Sequence, residues 1–194
     1  MQELKQKFKD LLLNIYPKRE GMENLLNYLE NETDFFTAPA STKHHGAEAF
    51  GLLEHSLQVY DKIEKLLESG VYQENISPDS VVIAALLHDV CKANFYKIAY
   101  RWRKDDSNRW EQYPIYEIDD QLPFGHGEKS VMILQKYILL TNEEIAAINW
   151  HMGGFDSRAK DYAGMMALSG AMEKFPLTVL LHMADLSATY FAKK

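Results

Sequence analysis

Six residues of this 194-residue chain have the types from which a metal centre is built: His55, His88, Asp89, His126, His151 and Asp185. The doublet His88-Asp89 closes the apolar run Val81-Val82-Ile83-Ala84-Ala85-Leu86-Leu87, which reads as a helix buried on all sides. Asp185 interrupts a second apolar helix, with no lysine or arginine adjacent in sequence to pair with it. A buried, unpaired carboxylate costs several kcal/mol or more. A bound cation removes that cost for both aspartates at once. Imidazole nitrogens and carboxylate oxygens suit Fe, Mn, Zn, Co or Ni. Cys91, the only cysteine, is too isolated in sequence to build a thiolate site. Capping of a helix end would account for His88 and Asp89 but leaves the other four residues unexplained.

Bringing such a set to one point takes packed helices, and the chain is patterned for them. Apolar residues at Phe8, Leu11, Leu12 and Ile15, then at Met22, Leu25, Leu26 and Leu29, predict two packing helices over Lys5–Tyr16 and Gly21–Glu30. The loop from Phe35 to Gly46 carries aromatics, Lys43 and His44, and leads into a helix predicted over Ala47–Leu67 with His55 at the edge of its apolar stripe. Ser77 as N-cap and Pro78 at the first helical position open the central helix. After Lys92 the period changes. Tyr96, Ile98, Tyr100 and Trp102 alternate with Lys97, Ala99, Arg101 and Arg103; Asp105 to Asn108 is a turn, and Trp110–Ile118 is the return strand, restricted to an edge by Pro114. Further helices are predicted from His126 to Leu139, from the capping box Thr141-Asn142-Glu143-Glu144 to the Gly153-Gly154 stop, from Tyr162 to Glu173, and from Pro176 onward. The expectation is an all-α bundle with a small β-hairpin inserted at about 96–118, in one domain: residues 1–34 as packing helices, 37–192 as the core.

The net charge of −7 argues against an extended nucleic-acid-binding surface, though not against a local basic pocket. Lys97, Arg101, Arg103 and Lys104 are the clearest positive density and read as a solvated strand face. No apolar run is long enough for a signal peptide or a membrane span, and a single cysteine fits a reducing compartment, so a cytoplasmic protein is expected.

Gly51-Leu52-Leu53-Glu54-His55-Ser56, then Leu86-Leu87-His88-Asp89-Val90-Cys91-Lys92, then the distal Asp185, resemble the HD-domain superfamily of metal-dependent phosphohydrolases. Phe124-Gly125-His126-Gly127-Glu128-Lys129-Ser130 and Trp150-His151-Met152-Gly153 match the two extra histidines of its binuclear branches. The likeness runs from about Thr37 to Thr189. It implies two divalent transition-metal ions (Fe, Mn, Ni, Co or Zn) bridged by Asp89, one held by His55, His88 and Asp185 and the other by His126 and His151. It further implies that a hydroxide bridging the two metals attacks phosphorus, with Asp89 and Lys92 catalytic and Lys92 neutralising phosphate charge. Lys129, and more weakly Lys43, His44 and Arg158, are candidate substrate-binding residues. Removal of Asp89, which has no cation beside it in this reading, is expected to leave the metal-free protein as stable or more so.

The flanks of His55 and His126 also resemble those of a bacterial HD-domain 3′-to-5′ exoribonuclease. The OB domain carried in front of such an enzyme has no counterpart here, so the expected substrate is a small phosphorylated molecule, a nucleotide or short oligonucleotide, rather than polymeric RNA. The same ligand set also resembles that of HD-fold di-iron oxygenases. A nucleotide-binding regulatory protein on the same fold is a third reading, against which the intact ligands argue.

Overall fold

The structure, a computed structural model, describes residues 1–15, 18–42, 46–70 and 75–191; Lys43 and His44 lie outside the described residues. Within them the chain forms α1 (Gln2–Asn14), α2 (Met22–Asn31), α3 (Gly51–Glu68), α4 (Pro78–Leu87), the strands β1 (Tyr96–Lys104) and β2 (Trp110–Ile118), α5 (His126–Leu134), α6 (Asn142–Trp150), α7 (Tyr162–Lys174) and α8 (Pro176–Tyr190). It is an all-α fold with one two-stranded antiparallel hairpin, as the periodicity predicts. Among the described residues no helix is long and apolar enough to cross a membrane.

Helix α4 is the centre. It starts at Ser77 and Pro78, although the Ser77 side chain makes no capping bond, and every residue from Ser80 to Leu87 is buried. It packs on α1, α3, α6 and α8, which present their apolar stripes to it. Each fully buried Val, Leu or Ile of such a helix contributes roughly 1.5–3 kcal/mol, so Ile83→Ala would cost about 2–5 kcal/mol. The N-terminal helices join the same core: Phe8 of α1 packs at 5.2 Å from Phe35 and 5.4 Å from Phe36.

Glu144 ties the layers together. As the third residue of α6 it completes the capping box, accepting from Thr141 N–H at 2.9 Å while its own N–H donates to Thr141 Oγ1 at 3.2 Å. Its carboxylate is fully buried because Ser80 of α4 donates to it at 2.7 Å and the Arg19 guanidinium pairs with it. The sequence shows the capping box and not the Arg19 partner, which arrives from 125 residues away.

Helix α1 runs from Gln2 to Asn14 rather than Lys5 to Tyr16, and three boundaries nearer the site also differ from the sequence reading. Helix α3 begins at Gly51 rather than Ala47. Loop carbonyls take the donors that would open a longer helix: Phe50 N–H donates to Thr37 O and Leu52 N–H to Ala38 O, each at 3.0 Å, with Phe50 in the left-handed region at φ 70°. Gly51 lies against the Gly46 backbone where a Cβ would overlap it. Helix α5 stops at Leu134 instead of Leu139, since Lys136 and Tyr137 N–H bond only three residues back and tighten the chain. Helix α4 ends at Leu87, one residue before the His-Asp doublet.

Candidate metal centre

The end of α4 sets the geometry of the doublet. His88 caps the C-terminus of α4, its N–H donating to Ala84 O at 3.1 Å. Asp89 then leaves the α region (φ −105°, ψ 19°) and opens a short 3-10 turn, Val90–Lys92. With three residues per turn, positions 89 and 92 eclipse each other, and Lys92 Nζ donates to Asp89 Oδ2 at 2.6 Å. Asp89 therefore has a cationic neighbour, contrary to the sequence reading. Burial pushes the Asp89 carboxyl up, but the charges of Lys92 and His88 outweigh burial and hold it well below the usual carboxylate range. Burial likewise opposes the charge on Lys92, and Asp89 holds it above the usual lysine value.

Two histidines are aimed by the same device. His88 Nδ1–H donates to Ala85 O at 2.9 Å and His151 Nδ1–H to Ile148 O at 2.8 Å. Each uses a carbonyl left over at a helix C-terminus, and each thereby turns Nε2, with its lone pair, inward. His151 is fixed further by His182, whose Nδ1–H donates to His151 O at 2.7 Å. That ring lies against Gly153 (φ 53°), where a Cβ would overlap it. His182, one turn before Asp185 on α8, thus acts on the His151 segment.

Around these, His55 of α3 places Nε2 at 3.1 Å from Asp185 Oδ1 of α8 and 3.7 Å from Asp89 Oδ2. His88 Nε2 is 3.4 Å from Asp89 Oδ2, and His151 Nε2 is 3.6 Å from Asp89 Oδ1. Burial raises the Asp185 carboxyl, yet the neighbouring His55, His88 and His151 hold it at about 2. Burial lowers His55 and His126 below the ordinary histidine value, keeping them neutral; on His88 the Asp89 charge overcomes burial and the shift is upward.

The residues fit a metal on a structural test. His88 Nε2, His151 Nε2 and Asp89 Oδ1 are buried and make no hydrogen bond. An unsatisfied buried polar atom costs about 1–3 kcal/mol, and three converging on one place leave a debt that a cation removes by accepting all three lone pairs. Among the described residues, ligand atoms of His55, His88 and Asp89 lie within 4.8 Å of one another, as do those of His88, His151 and Asp185, and those of Asp89, Cys91 and His126. The structure thus brings all six sequence-selected residues together, with His88 and Asp89 each in two groups. In these distances His151 keeps company with His88 and Asp185 rather than with His126.

Beside His126 stands Cys91, which isolation in sequence had set aside. Its Sγ is 3.5 Å from His126 Nδ1. Burial, then the charge of Asp89, pushes its thiol up to about 12, so it is a thiol and not a thiolate. Its place two residues after Asp89 was the available signal. Tyr96, unlike Cys91, had no sequence signal: its hydroxyl donates to Ala40 O at 3.3 Å, and burial pushes it up to about 12.

The remaining substrate-binding candidates have internal partners. Lys129 is buried, paired with Asp120 and 4.9 Å over the Phe95 ring. Arg158 is held by Asp156, Glu128 and Asn149, and its guanidinium stacks 4.4 Å above the Trp150 ring. Burial raises the Asp156 carboxyl, but bonds from Arg158 prevail and lower it. A carboxyl lowered on folding contributes stability present above its unfolded value of about 4 and lost as pH falls below it. Arg158→Met should therefore cost about 2 kcal/mol at neutral pH and flatten the loss of stability as pH falls below about 4. Denaturant melts of wild type and variant at neutral pH and at a series of acidic pH values check this; equal slopes would remove Arg158 from that role.

Compared with known proteins, residues 52–188 match the model of the HD-domain family. No curated protein and no solved structure matches the chain. The match takes in the whole of the histidine–aspartate cluster, on the helices that assemble it, and the chain belongs to the HD-domain family, whose members are mostly metal-dependent phosphohydrolases.

Proposed function

We propose that this chain is a cytoplasmic, single-domain phosphohydrolase or phosphodiesterase. It acts on a nucleotide or short oligonucleotide, with two divalent transition-metal ions held by His55, His88, Asp89, His126, His151 and Asp185. The observation that carries the reading is the convergence of the buried, unpartnered His88 Nε2, His151 Nε2 and Asp89 Oδ1. When bound, such ions neutralise a phosphate's oxygens and make water acidic enough to supply a nucleophile near neutral pH.

The protein's own groups do the rest. Asp89 presents one oxygen to each side, Oδ2 toward His55, His88 and Lys92 and Oδ1 toward His151. Lys92 carries three N–H donors and directs one to Asp89, which leaves the ammonium able to meet the charge that grows on a phosphoryl group under attack. Backbone carbonyls of Ala85 and Ile148 keep the His88 and His151 rings from turning as substrate arrives. Phe95, between Lys92 and the hairpin, lies 5.9 Å from the His126 ring, and Tyr96 at the start of β1 packs on Phe95, giving that side of the cluster an aromatic wall.

The test compares an anaerobic Mn²⁺-loaded sample with an aerobic iron-loaded one on generic phosphoesters, nucleotides, cyclic nucleotides and short RNA. Phosphate or nucleotide release without oxygen is expected, reduced by roughly 10²–10³ in Lys92→Ala. If no phosphoester is cut under any metal condition while the iron form consumes O₂ with an organic substrate, the hydrolase reading falls and the oxygenase takes its place.

A further inference from the structure

The hairpin is built unlike the rest of the chain. Its strands, nine residues each, reach about 30 Å at roughly 3.3 Å per residue. Among the described residues they pack on each other and, beyond glancing contacts, on no other helix or strand. Its root is held by Asp119 N–H donating to Phe95 O at 2.9 Å and by the Tyr96 hydroxyl on Ala40 O. The register places Tyr96 opposite Ile118, Ile98 opposite Tyr116, Tyr100 opposite Pro114, Trp102 opposite Gln112 and Lys104 opposite Trp110, all on one face. On that face Ile98, Tyr100, Trp102, Trp110 and Ile118 are between 60% and 66% exposed. The other face carries the charges, and they are matched within the ribbon. Arg103 pairs with Glu111 at 2.7 Å, Arg101 with Glu117 at 3.5 Å, and Lys97 with Asp119 at 3.4 Å.

A two-stranded ribbon is marginal in water by itself, and an apolar face of this size is uncommon on a monomer. We infer that the Ile98–Tyr100–Trp102–Trp110–Ile118 face is a dimerisation surface that packs against the same face of a second copy of this chain. Three aromatic and two β-branched side chains, each somewhat over half exposed, offer roughly 600 Å² per copy. A standard interface buries about 800 Å² per partner, so the face supplies most of one. It bears no acidic group; its one cation, Lys104, sits 5.6 Å over the Trp110 ring. Such a face suits itself under a twofold axis, which demands that one patch complement its own copy. Two ribbons face to face form a small two-layer sandwich and cover what each leaves bare. Single-stranded nucleic acid also stacks on aromatic platforms, but it needs unpaired cations alongside; Lys97, Arg101 and Arg103 are paired, and the chain carries a net charge of −7.

Sedimentation velocity of the full chain from about 1 to about 100 µM reads the outcome. A species of twice 22.4 kDa is expected. Trp102→Thr, which keeps strand propensity, should weaken it by about 30-fold or more, as loss of a central aromatic anchor does. Tyr100→Thr should act in the same direction, Arg103→Gln on the opposite face should not, and circular dichroism establishes that the helices of each variant are intact. A wild type that stays monomeric throughout overturns the inference, as does a dimer unchanged in both Trp102→Thr and Tyr100→Thr. A monomer that binds a fluorescent oligonucleotide, with binding lost in Trp102→Thr, reassigns the face to nucleic acid.

Discussion

Asp89→Ala is expected to abolish turnover and to lower the stability of the metal-free protein by about 3–5 kcal/mol, the cost of breaking a buried ion pair by removing one partner. This reverses the expectation from sequence, which saw a lone carboxylate whose removal would relieve the fold. In the structure the Asp89 carboxylate meets Lys92 Nζ at 2.6 Å, with the lysine side chain only 18% exposed. Alanine at 89 leaves that ammonium buried with no counter-charge. The double variant Asp89→Ala/Lys92→Met removes both charges and keeps the volume of the stem, so it should regain most of the lost stability while remaining inactive. Denaturant melts of the three metal-free proteins form the necessary comparison. A single variant that melts with wild type would show that the 89–92 pair contributes nothing to the fold.

Loading with Mn²⁺ at about 1,000 times its dissociation constant should stabilise the protein by about 4 kcal/mol per site, because the metal binds the folded chain alone. For a chain of this size that corresponds to a rise in Tm of roughly 8–16 °C. The cause is specific: His88 Nε2, His151 Nε2 and Asp89 Oδ1 are buried without hydrogen-bond partners in the metal-free fold, and a cation relieves all three. His88→Ala and His151→Ala should each lose most of the rise, whereas Arg103→Gln on the remote hairpin should keep it. Thermal melts with Mn²⁺ and with a chelator decide the matter. No shift in wild type would mean that the cluster is a hydrogen-bonded core feature and holds no metal.

What the chain states openly is periodicity and type. The 3.6-residue stripes of α1, α2, α3 and α8, the all-round apolar run of α4, the alternation of β1 and the capping box at Thr141 are local patterns, and local patterns set helix and strand. His88, Asp89 and Asp185 were legible because each is a polar residue in or at the end of an apolar helical run, a contradiction visible one residue at a time; His55, His126 and His151 joined them by lying in or at the ends of predicted helices and by the resemblance to a family pattern. Partnership is another matter, since it depends on which atoms face each other after packing. Lys92 meets Asp89 only because the backbone changes from α to 3-10 at residue 89, a change of pitch that residue types do not announce. Cys91 comes beside His126, and Arg19 reaches the buried Glu144, across separations of 35 and 125 residues. Lys129 and Arg158 looked available for substrate by charge alone and proved to be paired with Asp120 and Asp156. The sequence by itself determined the helices, the hairpin and the ligand types. The tertiary structure decided which charges neutralise one another and which three buried atoms are left without partners, because Coulomb and hydrogen-bond energies fall off over a few ångströms and only packing brings distant residues that close.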